Sequence, residues 1–247
     1  MRAIALVDLD DTLFQTLGKC PPDVPAEALA PIGYARDGAP LSYATPRQMS
    51  FLDWLSDSTL LIPVTARSRD ALERVRIGWT RAICAHGGLI LDSAGGADPR
   101  WHDRMAAQAQ AHAGSLAALA QRILDEAGGA PLRVRVLEEG GLPLYVLAKH
   151  SDGDAEALAA AIDPVVPEVP AGWTVHRNGN NAAFLPPFLG KQHAVEYLMP
   201  ELRRQYPDAP VIGIGDSLTD APFMALCDFA MMPSRSQLGA MALARAA

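Results

Sequence analysis

The chain is punctuated by short apolar runs that each stop at a polar residue. Residues 4–7, Ile-Ala-Leu-Val, end at Asp8. Residues 60–64, Leu-Leu-Ile-Pro-Val, end at Thr65, and residues 210–215, Pro-Val-Ile-Gly-Ile-Gly, end at Asp216. Residues 229–232 form a fourth, weaker run. Runs this short, without polar alternation, predict strands buried on both faces of a parallel sheet. Helix-like segments at residues 46–56, 69–76, 192–205 and 220–226 accompany them. Strands alternating with helices predict a doubly wound, mainly parallel α/β sheet. Ligands bind such sheets beyond the carboxyl ends of the strands, where Asp8, Thr65 and Asp216 are expected.

The middle of the chain has a different rhythm. Residues 101–126 predict a long Ala-rich helix with Met105, Leu116, Leu119, Ile123 and Leu124 near one stripe. Residues 132–137 and 144–148 predict a hairpin around Glu139-Gly140-Gly141, followed by a helix at 154–162. Residues 173–177 and 182–185 predict a second hairpin, turning at Asn178-Gly179-Asn180. The order helix–hairpin–helix–hairpin predicts a smaller α+β domain at residues 94–186, inserted into a core made of residues 1–93 and 187–247. Gly95-Gly96 and Pro186-Pro187 are the expected hinges. A further hairpin at residues 32–43, turning at Asp37-Gly38, is expected to project from the loop after Asp8.

Composition narrows the function. The 247 residues are 49% hydrophobic and 20% charged, enough for one core plus a smaller domain. A net charge of −7 argues against nucleic-acid and anionic-membrane partners, which need basic patches. No apolar run has the length of a membrane-spanning helix, and the run ending at Asp8 is too short for an export signal. Cys20, Cys84 and Cys227 show no paired spacing. They fit a reducing cytoplasm and offer neither a zinc site nor a disulfide framework.

The candidate chemistry begins at Asp8-Leu9-Asp10-Asp11-Thr12. Asp8 can present a carboxylate to a substrate phosphorus. Asp10 can protonate the leaving oxygen and later deprotonate a water, which divides one hard hydrolysis into two easier steps. Thr12 can hold the loop and contact substrate. The competing reading is a polar turn capping a helix. Thr65 can donate to a phosphoryl oxygen or serve as a helix N-cap. Lys191 opens a helix, where a cation opposes the macrodipole, unless it neutralises Asp8 and a phosphoryl group. A solvated surface lysine is the alternative. Asp216 and Asp220, four apart after a buried strand, suit Mg²⁺, with Asp216 a direct ligand and Asp220 holding a water or Lys191. They equally suit a capped turn.

These pieces arrive in an order that resembles the haloacid dehalogenase superfamily. Asp8, Asp10 and Thr12 match its Asp-x-Asp-x-Thr, Thr65 its second motif, Lys191 its lysine, and Gly215, Asp216 and Asp220 its Gly-Asp-x-x-x-Asp. The resemblance implies a nucleophile at Asp8 and an acid/base at Asp10. It also implies Mg²⁺ held by the Asp8 side chain, the Asp10 backbone carbonyl and Asp216. The presence of Asp10 implies a phosphatase or phosphomutase rather than a dehalogenase. The insertion between Thr65 and Lys191 resembles the type IIB cap of the Cof-like and sucrose-phosphate phosphatase branch. His86 stands where those relatives carry Asn, and Thr219 stands before Asp220 where they commonly carry an Asn-Asp pair.

Substrate selection then falls to the inserted domain. Arg67 is the cation nearest the second motif and can touch substrate or hairpin. Arg177, Asn178, Asn180 and Asn181 suit a polyhydroxylated substrate, and equally a tight hairpin turn. The expected function is Mg²⁺-dependent hydrolysis of a small phosphorylated metabolite, with a sugar phosphate as one candidate. A phosphomutase and an inactive binding protein are the alternatives.

Overall fold

The computed structural model describes residues 3–243. The chain divides into two compact units, Met1–Asp98 with Lys191–Ala247 and Pro99–Gly190. The second begins a few residues later than residue 94 because Asp92 keeps the intervening turn with the first. Its Oδ1 accepts hydrogen bonds from the Ala94 and Gly96 amides at 2.9 and 2.8 Å.

The first unit is built on a parallel sheet in the order Phe229–Met231, Val211–Ile214, Ala3–Val7, Thr59–Pro63. Alternate side chains of the Ala3–Val7 strand point to opposite faces. Ala5 and Val7 join a core with Leu52 and Leu55 of the Pro46–Ser58 helix and with Leu72. Ile4 and Leu6 are also fully buried, so both faces are covered. This is the doubly wound α/β class that the apolar runs predict. The edge strand Phe229–Met231 is exposed throughout.

Beside the sheet, Gln15–Thr16, Pro40–Ala44 and Ala30–Tyr34 form a small antiparallel sheet after the Asp8 loop. The expected hairpin is there, with Gly38 at φ 84° in its turn. Two local features differ from expectation. The helix expected at 69–76 stops at Leu72, because the backbone beyond it pairs with the hairpin. Tyr34 N–H donates to the Arg74 carbonyl and Arg76 N–H to that of Ile32. A hairpin, Arg81–Cys84 with Leu89–Asp92, was not expected; a Val64–Ile83 bridge joins it to the main sheet.

The second unit packs the Pro99–Glu126 and Ala155–Ile162 helices on an antiparallel sheet. Its strand order is Thr174–Arg177, Ala182–Leu185, Leu142–His150, Leu132–Glu139. Gly140 and Gly141 have φ of 58° and 78°, the left-handed pair that a two-residue hairpin turn requires. Leu116, Leu119 and Ile123 meet Val146, Ala148, Phe184, Leu158 and Ile162 in its core. Leu124 does not join that stripe. It is 43% exposed, since one further residue rotates a helical side chain by about 100°. No helix among the described residues is long and apolar enough to cross a membrane.

The Pro46–Ser58 helix starts with a reciprocal capping box. Thr45 Oγ1 accepts from Gln48 N–H, and the Gln48 side chain accepts from Thr45 N–H. The Gln48 amide also pairs with Gln15, which ties the helix start to the strand following the Asp8 loop. Thr45→Ala is expected to lower unfolding free energy by about 1 kcal/mol. A urea titration checks this as a shifted midpoint with an unchanged slope.

Candidate active site

Three strand ends meet at one edge of the first unit's sheet. Asp8 follows the Ala3–Val7 strand, and its amide donates to the Ile214 carbonyl at 2.8 Å. The chain then turns tightly: the Leu9 carbonyl accepts from the amides of Thr12, Leu13 and Phe14. Asp11 takes the turn in the left-handed region, φ 63°, which costs a non-glycine residue roughly 1–2 kcal/mol. The turn brings Thr12 back toward the strand end. Its hydroxyl lies 3.4 Å from Asp8 Oδ2 and 3.3 Å from Asp216 Oδ1. Asp11 itself pairs with Lys19.

Lys191 is buried at the first position of the Lys191–Gln205 helix. Its ammonium donates to Asp8 Oδ1 and Asp220 Oδ1, each at 2.6 Å. The other oxygen of Asp220 accepts from Asp216 N–H, Ser217 N–H and Ser217 Oγ at 3.2, 3.0 and 2.7 Å. Asp220 is therefore committed to Lys191 and to its own loop. That close approach requires a glycine at 215. A Cβ there would stand 2.5 Å from Asp220 Cβ. Ser217 also shares a hydrogen bond with Thr219, between their hydroxyls at 2.8 Å.

Asp10 faces a different partner. Arg67 grips it with both forks, Nε to Oδ2 and Nη2 to Oδ1, each 2.7 Å. The Arg67 Nη2 also donates to Ser42 Oγ at 3.1 Å, and the guanidinium lies 5.2 Å from the Phe14 ring centroid. Such paired, planar contacts are the strong class of charged hydrogen bond. Ser42 belongs to the hairpin and is buried against Gly33, where an added Cβ would come within 3.0 Å of its side chain. Sequence reasoning missed Ser42, because nothing local distinguishes it from any strand serine.

Thr65 is fully buried, and its Oγ1 accepts from Arg67 N–H at 3.1 Å, which leaves its own proton to donate. The loop is held from below by Ala85, His86 and Gly87, all at positive φ (50°, 57° and 97°). Ala85 N–H donates to the Arg67 carbonyl and His86 N–H to that of Thr65. Strain of this kind persists where surrounding contacts over-determine it.

The residues expected to select substrate in the second unit find partners inside that unit. Arg177 bonds Asp163 at 2.7 Å. Asn180 accepts from His150 N–H and donates to its carbonyl, a substitute for strand pairing. Asn178 and Asn181 exchange backbone hydrogen bonds across the turn.

Charge at the sheet edge is unbalanced. Asp8, Asp216 and Asp220 bring oxygen atoms within 4.8 Å of one another, against the single ammonium of Lys191. Burial pulls the Lys191 pKa down, but Asp8 and Asp220 outweigh it and raise it. Asp220 is likewise favoured by burial to be neutral, yet Lys191 and Ser217 hold it below the usual carboxylate range. Burial, opposed by Lys191, pushes the Asp8 pKa well up. Burial, then Asp220 and Asp11, raise Asp216 to about 6. One divalent cation would neutralise the excess of two negative charges. All the donors are hard oxygens, the set that Mg²⁺ or Ca²⁺ prefers. Asp8 and Asp216 have lone pairs left for it.

The sign of the pH dependence follows. Asp216 is raised above an unfolded value of about 3.9, so its stabilising contribution holds below that pH and is lost as pH rises through about 6. A cation must displace that proton, so its binding strengthens over the same window. In thermal unfolding, Mg²⁺ is expected to raise the midpoint clearly at pH 7.5 and hardly at all at pH 5. An equal shift at both would contradict a cation at Asp216.

No protein-family model matches the chain, and no curated protein matches it. Solved structures do. The sucrose-phosphatase of Synechocystis, in complex with sucrose and phosphate, is 17% identical with a TM-score of 0.51, over 100% of this chain and 98% of that one. A protein of Eubacterium rectale is 14% identical with a TM-score of 0.56, over 98% and 91%. A third, from Thermoplasma acidophilum, is 12% identical with a TM-score of 0.50, over 93% and 91%. The likeness extends over both units, and the chain shares the fold of these structures, an α/β core with an inserted α+β unit.

Proposed function

We propose that the protein is a Mg²⁺-dependent phosphatase that hydrolyses a small phosphorylated metabolite through an aspartyl-phosphate on Asp8. The observation that carries this reading is the buried Lys191 shared between Asp8 and Asp220, with Asp216 beside them. A carboxylate with one oxygen pinned by an ammonium is fixed in orientation, and among the described residues its Oδ2 has only the long Thr12 contact.

In the first step an Asp8 oxygen bonds to phosphorus as the bond to the leaving oxygen breaks. Asp10 gives that oxygen its proton. In the second step a water oxygen bonds to phosphorus, the Asp8–phosphorus bond breaks, and the water's proton goes to Asp10. Inorganic phosphate leaves and both carboxyl groups are restored. Lys191 and the Thr65 hydroxyl offset the charge on the phosphoryl oxygens. Mg²⁺, held by Asp8, Asp216 and the Asp10 carbonyl, would supply further positive charge there. Arg67 acts through Asp10: its fork fixes the carboxylate while Ser42 fixes the fork. The fold shared with a sucrose-phosphatase makes sugar phosphates the first class to test.

A panel of phosphate monoesters with Mg²⁺ checks the proposal by release of inorganic phosphate. Wild-type protein is expected to turn over part of the panel, and Asp8→Asn none of it. Activity surviving in Asp8→Asn would remove the nucleophile. Asp10→Asn is expected to cost about 10²–10⁴-fold in turnover. With p-nitrophenyl phosphate, whose leaving group needs no proton, it should accumulate phosphoenzyme, detectable as a mass increase on intact protein. Arg67→Met should lower kcat more than it raises KM.

A further inference from the structure

The first unit has a cavity of about 520 Å³ that shares no residue with the candidate active site. Every residue lining it belongs to that unit. Pro21, Val24 and Pro25, after the Gln15–Thr16 strand, make one wall. Thr45, Pro46 and Arg47 line it from the start of the Pro46–Ser58 helix, and Arg235 from the loop after the Phe229–Met231 strand. Among the described residues its one acid is Asp23.

The cations of this cavity are placed at a cost. Arg47 and Arg235 come from opposite ends of the chain, and among the described residues neither side chain has a hydrogen bond or ion pair. Arg36, Arg69, Arg74, Arg81 and Arg203 of the same unit each meet a carboxylate. Arg47 also stands in the first turn of its helix, where the dipole disfavours a cation, and that turn holds no acid. Thr45 is only 8% exposed. Its Oγ1 accepts from Gln48 N–H, which leaves its own proton to donate. An arriving anion would offset these costs, since two guanidinium forks and a hydroxyl match a carboxylate or phosphate. The cavity falls in the range of about 300–1,000 Å³ that small organic molecules fill, larger than a bare ion needs. Its proline rings fix the backbone, so the apolar wall is set before a ligand arrives.

We infer that this cavity binds a small organic anion, a carboxylate or phosphate on a short apolar body. Arg47 and Arg235 take the charge and the proline wall takes the body. The inference does not rest on the phosphatase reading. Both charged walls are nevertheless anchored next to the candidate active site. Gln48 pairs with Gln15 beyond the Asp8 loop, while Gln237, two residues after Arg235, accepts from the Leu218 amide in the Asp216 loop.

NMR titration of the full chain with benzoate and phenylphosphonate, against neutral benzamide, tests it. At least one anion is expected to give saturable shifts at Arg47 and Arg235 and to bind about tenfold or more tightly than benzamide. R47Q/R235Q changes only exposed side chains, so it should keep the thermal midpoint and lose about tenfold or more in affinity. R47K/R235K, which keeps the charge, should lose less, and D23N should tighten binding. No saturable shift at these arginines with either anion, equal affinity for benzamide, or unchanged affinity in R47Q/R235Q overturns the inference. Weaker binding in D23N also overturns it, because the acid would then hold the ligand. If a monoester is turned over, the bound anion identifies its source. A raised KM that disappears in R47Q/R235Q means that the substrate itself carries the anionic group into the cavity. An unchanged KM means a separate ligand, and both results uphold the site. If no monoester is turned over, the phosphatase reading has failed and the binding result stands alone.

Discussion

One buried ammonium holds the candidate site together. Lys191 sits between Asp8 and Asp220 at 2.6 Å from each, and all three are nearly or fully withdrawn from water. Removing one partner of such a group leaves an uncompensated buried charge, a loss of about 3–5 kcal/mol. The contact joins the end of the Ala3–Val7 strand to the loop after Val211–Ile214 through the first residue of a helix. The glycine at 215 lets Asp220 come close enough, and the Ser217 loop closes over its second oxygen. What remains uncompensated, at Asp8 and Asp216, is an opening for a cation. The chemistry and the packing therefore lean on the same ion.

Much of this was legible in the sequence because it is local. Each apolar run ends abruptly at a polar residue, and a buried strand can do that only at its exit from the core. Asp8, Thr65 and Asp216 could be placed at one sheet edge without any knowledge of distance. The Asp154 cap and the Gly140-Gly141 turn are local too, and the helix and hairpin lie there. What escaped is non-local. Arg67 is 57 residues from Asp10, and Ser42 is 25 from Arg67; no pattern along the chain announces either contact. The helix after Ser68 was overestimated because its propensity continues past Leu72, while a hairpin far behind it in sequence claims the backbone. The Arg81–Cys84 and Leu89–Asp92 hairpin was missed although its link contains Gly87-Gly88; two of the left-handed residues in that link, Ala85 and His86, are not glycine.

The two units use their polar residues differently. In the first, buried charges converge and are left in excess. In the second, most are spent on structure: Asn180 imitates a strand by bonding both backbone groups of His150, and Arg177 is held by Asp163. The residues at the Asn-rich turn that suggest sugar recognition by type are occupied with holding that turn.

The sequence separation of 183 between Asp8 and Lys191 has a bearing on synthesis. A chain emerging from the ribosome exposes Asp8 early and Lys191 only after the whole second unit has been made. Domains tend to fold as units in order of appearance, so the inserted unit can close on itself while the first still lacks its last strands. During that interval Asp8 has no ammonium beside it and the central strand has only half its neighbours. Assembly of the site is thus a late event, and a nascent chain stalled before residue 191 leaves the Asp8 carboxylate without its buried ammonium.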